Sequence, residues 1–284
     1  MSPDWLGASR RAAAALREML AGRATIAERV IETGTRGEGG DRTLEIDHLA
    51  EQAVLAELDG LHRAGARFTV LSEEKGIVDF GGEGVLVVVD PIDGSLNAKR
   101  GLPHHCVSIA VAEGPTMADV VFGFVQDFGP DEEWVARRGG GALLNGVALD
   151  PAVGERRWAS DGKLEVVGFE SADPRWVLQS AEGLVQVAHR LRAIGTIAAA
   201  LCQVAAGRFD GMLTLKDCRA VDAAAAQLIV REAGGHVAFT GFEDPLAAPL
   251  DLLPRSPVVA ARSEAGLREL AAVPPLGTTP NRAN

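Results

Sequence analysis

The run Val85-Leu86-Val87-Val88-Val89 drives directly into Asp90-Pro91-Ile92-Asp93-Gly94-Ser95-Leu96-Asn97, and this junction constrains the chain more than any other stretch. Consecutive apolar, mostly β-branched residues read as a strand buried on both faces. Its end carries two carboxylates three residues apart, and Pro91 and Gly94 punctuate the exit. Buried carboxylates are costly unless something cationic pairs with them. No Lys or Arg lies inside the segment. A divalent metal is therefore the expected partner, and metal-assisted chemistry on an anionic substrate the expected use.

A chain of 284 residues can bury a sizeable core, in one large or two modest domains. The net charge of −11 argues against a nucleic-acid partner bound through a broad basic surface. Phosphates are still accessible to such a protein, because metals and local arginines reverse the field locally. Cys106, Cys202 and Cys218 are few, odd in number and widely spaced, with no CxxC pair. They suggest neither a disulfide framework nor a thiolate zinc site. Met1 to Leu20 reads as an amphipathic helix rather than a signal peptide. There is no apolar run of roughly 18 residues to span a membrane. The expected location is the cytoplasm.

Helices are expected over Trp5 to Ala21 and Leu44 to Leu61, separated by a Gly-rich loop from Thr33 to Arg42. Strands follow over Arg67 to Leu71, Val85 to Asp90, Val107 to Ala112, Asp119 to Val125 and Glu133 to Ala136. This order, helices and then a meander, is that of an α+β fold. A boundary falls near Asp150 to Arg157, giving an N-terminal half over 1–152 and a C-terminal half over 153–273. In the second half, strands at Leu164 to Phe169, Leu191, Phe209 to Leu215, His236 to Phe239 and Val258 to Ala261 alternate with helices. Those helices follow Asp173-Pro174, run from Thr196 to Ala206 and Asp222 to Ala233, and close with Glu264 to Ala272. The Pro-rich tail, 274–284, is expected to be disordered.

Four acidic places stand out: Asp47 with Glu51 one helical turn on, Glu73-Glu74 beyond a strand, Asp90 with Asp93, and Asp222 at the start of an Ala-rich helix. Hard oxygen donors select Mg²⁺, Mn²⁺ or Ca²⁺. Acids converging from separate strands suit a clamp of two or three ions for in-line phosphoryl transfer to water. Plainer readings stand beside this one. Asp222 also reads as a helix N-cap, Glu73-Glu74 as a solvated loop pair, and Asp47 as an exposed helix acid. The spacing does not fit an EF-hand, and there is no P-loop, GxSxG or Rossmann fingerprint.

The stretch D-P-I-D-G-S-x-N at 90–97 resembles the signature of the inositol monophosphatase family of magnesium-dependent, lithium-sensitive phosphatases. Ser72-Glu73-Glu74 resembles the family's G-E-E element. Val221-Asp222-Ala223-Ala224 with Glu232-Ala233-Gly234-Gly235 resembles its W-D-x-A-[AG] … E-A-G-G element. The likeness runs from about Trp5 to about Leu270 and implies a layered αβαβα sandwich of α+β class, with the active site between the two halves. It implies Glu73, Asp90 and the Ile92 carbonyl on a first Mg²⁺, and Asp90, Asp93 and Asp222 on a second. Glu73 and Glu74 would help to hold a third. Ser95, with Glu73 and Asp47, would orient the attacking water. The amides of Gly94 and Ser95 would meet the phosphate, and Gly195-Thr196 the substrate's polyol hydroxyls. The resemblance also implies a homodimer.

Three features set the chain apart from the animal members of that family. Val221 replaces the usual Trp, Leu215 stands where an acid is placed, and Lys216 to Asp222 together with the Gly-rich loop resembles the archaeal-type branch. That branch implies inositol 1-phosphate and fructose 1,6-bisphosphate as substrates. Arg192 and Arg219 are candidates for a second phosphate or a sugar hydroxyl, or else surface ion pairs. Histidinol phosphate, 3′-phosphoadenosine 5′-phosphate and an RNA-associated regulatory role are the alternatives. The absence of Tyr and the 5% aromatic content weigh against a nucleotide. His104-His105, if on a strand, would face opposite ways, one at the cleft edge and one packing. Asn97 is expected to fix the turn.

Overall fold

The computed structural model of the protein describes residues 3–23, 29, 32–36 and 42–273. The long apolar strand is the second strand, β4, of a seven-stranded sheet whose order is β3-β4-β5-β6-β7-β8-β9. Here β3 is Phe68–Ser72, β4 Gly76–Asp93, β5 Cys106–Ala112, β6 Val120–Asp127, β7 Glu132–Arg137, β8 Gly141–Leu144 and β9 Val147–Ala148. Strand β4 starts well before the expected Val85. Its first limb folds back along β3 (Phe68↔Phe80 to Ser72↔Gly76), and its second runs beside β3 in the same direction (Thr69↔Leu86 to Ser72↔Val89). Asp79, whose carboxylate accepts from the amides of Gly81 and Gly82, forms the turn between the limbs.

Alternation along these strands explains why the run is apolar throughout. Val87, Val89, Ile109, Val111, Phe122 and Phe124 point to one face, where Leu16 of the helix Trp5–Ala21 and Ile46, Ala50, Val54 and Leu58 of the helix Glu45–Arg63 cover them. Val88, Ala110, Ala112 and Val125 point to the other. That face is lined with small residues because the helix Ala220–Glu232 lies close upon it. A Cβ on Gly123 would come within 2.5 Å of the Ala225 carbonyl oxygen.

The helix Ala220–Glu232 and its neighbour Ile197–Ala205 are buried on nearly every side, as expected of helices apolar all round. A second sheet covers them, in the order β11-β10-β12-β14-β13. Its strands are β10 Leu164–Glu170, β11 Ala188–Arg192, β12 Gly211–Thr214, β13 His236–Phe239 and β14 Val258–Ala261. Leu184, in the helix Pro174–Val187, and Leu270, in the helix Glu264–Ala271, close its outer face over Leu164, Val167, Leu213 and Val259. The five layers are α, β, α, β and α, as the resemblance implies.

Some expectations are corrected. Part of the Gly-rich "loop" is strand: β1 (Glu32–Arg36) pairs antiparallel with β2 (Arg42–Leu44). Gly runs mask a hairpin when the flanking residues are polar, because no apolar alternation marks the strands. Leu44 ends β2, and the following helix begins at Glu45. The last helix of the middle layer begins at Ala220, so Asp222 is its third residue rather than its N-cap. The expected disordered tail lies outside the described residues.

Candidate active site

Four segment ends meet between the two sheets: those of β3 and β4, and the N-termini of the two middle helices. Asp90, 1% exposed, accepts a hydrogen bond from the Ile92 amide on Oδ1 at 3.0 Å. Three residues on, one oxygen of Asp93 is held by neutral donors. Oδ2 accepts from Thr196 Oγ1 at 2.5 Å and from the Ala198 amide at 2.7 Å, with the Cys106 thiol at 3.8 Å. Thr196 also caps the helix Ile197–Ala205, so this carboxylate sits at a helix N-terminus, where negative charge is favoured.

Gly94 lies in the left-handed region (φ 84°), and a Cβ there would meet the His104 carbonyl at 3.0 Å and the Gly195 carbonyl at 3.2 Å. Glycine alone takes this conformation without strain. Ser95 opens the short helix Ser95–Arg100 and is half-buried. Asn97 fixes the turn as expected: its Nδ2 donates to the carbonyls of His104 (2.9 Å) and Ile194 (2.7 Å). It thereby ties the first half of the chain to the second.

Glu73 follows β3. The loop bearing it is pinned from below by Glu51, fully buried, whose Oε1 accepts from Ser72 Oγ at 2.6 Å and the Lys75 amide at 2.8 Å. Asp47 is buried one turn earlier on the same helix, and Glu74 is half-buried beside Glu73. Across the site, Asp222 accepts from the Arg219 amide on Oδ2 at 2.8 Å and from Arg219 Nη2 on Oδ1 at 2.9 Å. The same guanidinium places Nη1 2.6 Å from Glu73 Oε1.

Burial, and then the charges of Glu73, Asp93 and Asp222, push the Asp90 carboxyl well above the usual range. Burial lifts Asp93 to about 7, opposed by Thr196 and Ala198 and reinforced by Asp222. Glu73 is raised by burial, with Arg219 pulling it down. Two like charges about 4 Å apart repel by roughly 4 kcal/mol at an effective dielectric of about 20. The cluster therefore calls for positive charge.

A cleft of about 1150 Å³ opens onto Asp93, Asp222 and Arg219 and is lined further by Asn97, His104, Glu170, Thr196, Lys216 and Asp217. The donor set fits Mg²⁺: buried, mutually repelling carboxylate oxygens, with a guanidinium already standing among them as a cation. As the side chains stand, no three carboxylates, imidazoles or thiolates among the described residues converge on one point. Arg219 lies between Glu73 and Asp222.

Comparison with known proteins decides what this arrangement belongs to. The model of the inositol monophosphatase family matches residues 4–273. The chain belongs to the inositol monophosphatase family. It is a phosphatase. It is 34% identical over 212 residues to a fructose-1,6-bisphosphatase/inositol-1-monophosphatase of Methanothermobacter thermautotrophicus, covering 71% of this chain and 72% of the relative. It is 35% identical over 211 residues to Nus factor SuhB of Xylella fastidiosa, covering 72% of each. The solved structure of suhB from Bartonella henselae superposes with a TM-score of 0.74 at 26% identity, covering 94% of this chain and 97% of that one. A solved inositol monophosphatase-fructose 1,6 bisphosphatase shares the fold with a TM-score of 0.79 at 24% identity, covering 95% and 99%.

In this inositol monophosphatase family member, Asp93, Asp222, Arg219, Gly195 and Thr196 line the cleft, Arg219 joins Glu73 to Asp222, and Asp90 lies within reach of the charges of Glu73, Asp93 and Asp222. Arg192 is not brought there: it is exposed, and its Nη1 donates to the Leu191 carbonyl at 2.8 Å. Leu215 is buried in the outer core, whereas Lys216 and Asp217 line the cleft. His104 does line the cleft and His105 does pack, against Phe128. The reason differs from strand alternation, since β5 begins only at Cys106 and His104 holds φ 64°.

Two buried acids near the cleft escaped the sequence reading. Glu170, 2% exposed, ends β10 and accepts from the amides of Ile194 (2.9 Å) and Gly195 (3.0 Å). Burial lifts it to about 8. Asp127, fully buried, ends β6 and accepts from His104 Nδ1 at 2.9 Å. Both follow apolar strands, the same signal that singled out Asp90.

Proposed function

We propose that the chain is a Mg²⁺-dependent phosphatase of small polyol or sugar phosphomonoesters, with inositol 1-phosphate and fructose 1,6-bisphosphate as the leading substrates. The observation that carries this is the group formed by half-buried Glu73 and buried Asp90, Asp93 and Asp222, which repel one another and need a cation. In this reading Glu73, Glu74, Asp90, the Ile92 carbonyl, Asp93 and Asp222 hold two or three ions. Bound Mg²⁺ supplies a water of lowered pKa and neutralises charge on the transferring phosphoryl group.

The chain's own residues supply the positioning. Asp47, Glu73 and Ser95 orient the attacking water, and the amides of Gly94 and Ser95 receive the phosphate. Thr196 and Ala198 keep Oδ2 of Asp93 fixed, so that its carboxylate would be held in place to ligate an ion. The Gly195-Thr196 backbone meets the hydroxyls of the substrate, and Arg219 meets its anionic part. The archaeal relative's name, fructose-1,6-bisphosphatase/inositol-1-monophosphatase, supports the substrate choice. The buried, free thiols of Cys106, Cys202 and Cys218 suit a reducing compartment such as the cytoplasm. Among the described residues no helix is long and apolar enough to cross a membrane. Inhibition by lithium and assembly as a homodimer belong to the same proposal.

Relatives named Nus factor SuhB, at the same level of identity, favour a second reading as an RNA-associated regulatory protein of the same fold. The net charge of −11 weighs against direct RNA binding.

Phosphate release from inositol 1-phosphate, fructose 1,6-bisphosphate, histidinol phosphate and 3′-phosphoadenosine 5′-phosphate, each with Mg²⁺ and with EDTA, tests the first reading. Turnover is expected only with Mg²⁺, and Asp90→Asn should lower kcat by roughly 10³-fold or more, as loss of major electrostatic stabilisation does. Undiminished turnover in EDTA, or in Asp90→Asn, would sink it.

A further inference from the structure

Arg219 spans the two sides of the acid cluster. Its Nη1 lies 2.6 Å from Glu73 Oε1, its Nη2 2.9 Å from Asp222 Oδ1, and its own amide 2.8 Å from Asp222 Oδ2. One residue thus engages both oxygens of Asp222 and one of Glu73. The side chain also forms part of the cleft wall, so the guanidinium has an open side.

These contacts conflict with those an ion needs. Mg²⁺ demands oxygens at about 2.0–2.1 Å in near-octahedral array. A guanidinium donating to Glu73 and Asp222 takes up the same oxygens and repels a second cation. It remains charged throughout the working pH range, so loss of its proton offers no escape. The conflict is relieved only if the side chain moves, and its open side faces the cleft.

We propose that Arg219 is an internal counter-ion that competes with the divalent metal for Glu73 and Asp222, and that metal binding releases its guanidinium into the cleft to meet the anionic substrate. In the metal-free protein Arg219 compensates the buried carboxylates. With the ion in place it is displaced, and a phosphate oxygen pair matches its planar donors. This builds an order into the site, ion first and substrate contact second. The inference rests on the metal reading above.

The test compares wild type, Arg219→Gln and Arg219→Lys after EDTA stripping. Mg²⁺ affinity is measured by calorimetry, and thermal unfolding is followed in EDTA and in saturating Mg²⁺. Arg219→Gln should bind Mg²⁺ about tenfold more tightly, because the competing charge is gone. It should also unfold at a lower temperature in EDTA, yet gain more from Mg²⁺ than wild type does. A static structural ion pair predicts the same loss in EDTA with unchanged or weaker Mg²⁺ binding, and that result overturns the proposal. Should Arg219→Gln fail to fold, Arg219→Lys decides. Lysine cannot bridge both acids with a planar fork, so Mg²⁺ affinity should rise about threefold, and unchanged affinity overturns the proposal. Absence of Mg²⁺ binding in wild type and variants alike overturns the metal reading itself, and the silence of the wild type distinguishes that failure from the other.

Discussion

Two pairs of carboxylates in this molecule, all buried except the half-buried Glu73, are held by different means. Asp93 and Glu170 are held by neutral donors: a hydroxyl and an amide for one, two amides for the other. Glu73 and Asp222 are held by the guanidinium of Arg219. Neutral dipoles offset burial only in part, so Asp93 and Glu170 stay raised, to about 7 and about 8. They are also built from backbone and a helix cap, which need not move when a ligand arrives. A full charge compensates more strongly, but it occupies the position an arriving cation would take. The first arrangement suits fixed architecture, and the second suits exchange.

The largest effect that would test this contrast is the pH dependence contributed by Glu170. Its folded pKa is about 8, against an ordinary value of 4.5. Between those values the native state holds a proton that the unfolded chain has lost. The stability it contributes is therefore complete below about pH 4.5 and declines as pH rises through about 8, by an amount on the order of a few kcal/mol. Urea unfolding across pH 5 to 8 should give a flatter curve for Glu170→Gln than for wild type. Equal slopes would show that the two amides hold the ionised form as well as a charge would, and the contrast would collapse.

A smaller effect is expected on the other neutral-held acid. Thr196→Val keeps the shape of the side chain but removes the 2.5 Å hydrogen bond to Asp93 and the cap on the Ala199 amide. The cost should be about 2 kcal/mol, one bond to a carboxylate and one lost cap, less what the Ala198 amide continues to supply. The loss should persist in saturating Mg²⁺ in thermal unfolding, since the ion does not replace the hydroxyl. A loss that saturating Mg²⁺ cancels would mean that Thr196 supports an ion-compensated site like that of Glu73 and Asp222, rather than fixed architecture.

Much of this was legible in sequence because the strongest signals are local. Val85 to Val89 ending in Asp90 needed only period-two burial and the cost of a buried charge. The Ala-rich stretch from Asp222 to Ala233 and its Gly-Gly stop marked the middle helix within two residues of its observed start at Ala220. The layered fold followed from the order of the elements together with the family likeness. What sequence did not reveal depends on long-range pairing. The limb Gly76 to Phe80 contains Asp79 and is followed by Gly81, Gly82 and Gly84, so it reads as a loop until β3 is laid beside it. Glu170 looks like a surface acid at the end of a strand until Ile194 and Gly195 arrive from 24 and 25 residues away. Arg219 is the sharpest case. Sequence placed it among the substrate contacts, and only the fold brings Glu73, some 146 residues earlier by number (219 − 73), against its guanidinium.

The smallest effect concerns Cys106, the weakest donor to Asp93. Its thiol lies 3.8 Å from Asp93 Oδ2 and 3.3 Å from Thr196 Oγ1, fully buried, and burial holds it well above the ordinary thiol range. It is therefore a neutral S–H donor at working pH, and a weak one. Cys106→Ala should cost about 1 kcal/mol, chiefly from the small void left behind, and kcat on the best substrate should change by less than about twofold, since the strong bonds from Thr196 and Ala198 remain. Thermal unfolding and steady-state kinetics on the same preparation check both statements. A tenfold fall in kcat with little change in stability would place the thiol among the groups that fix the carboxylate for chemistry. The neutral-held side of the site would then depend on all three donors together, with no redundancy among them.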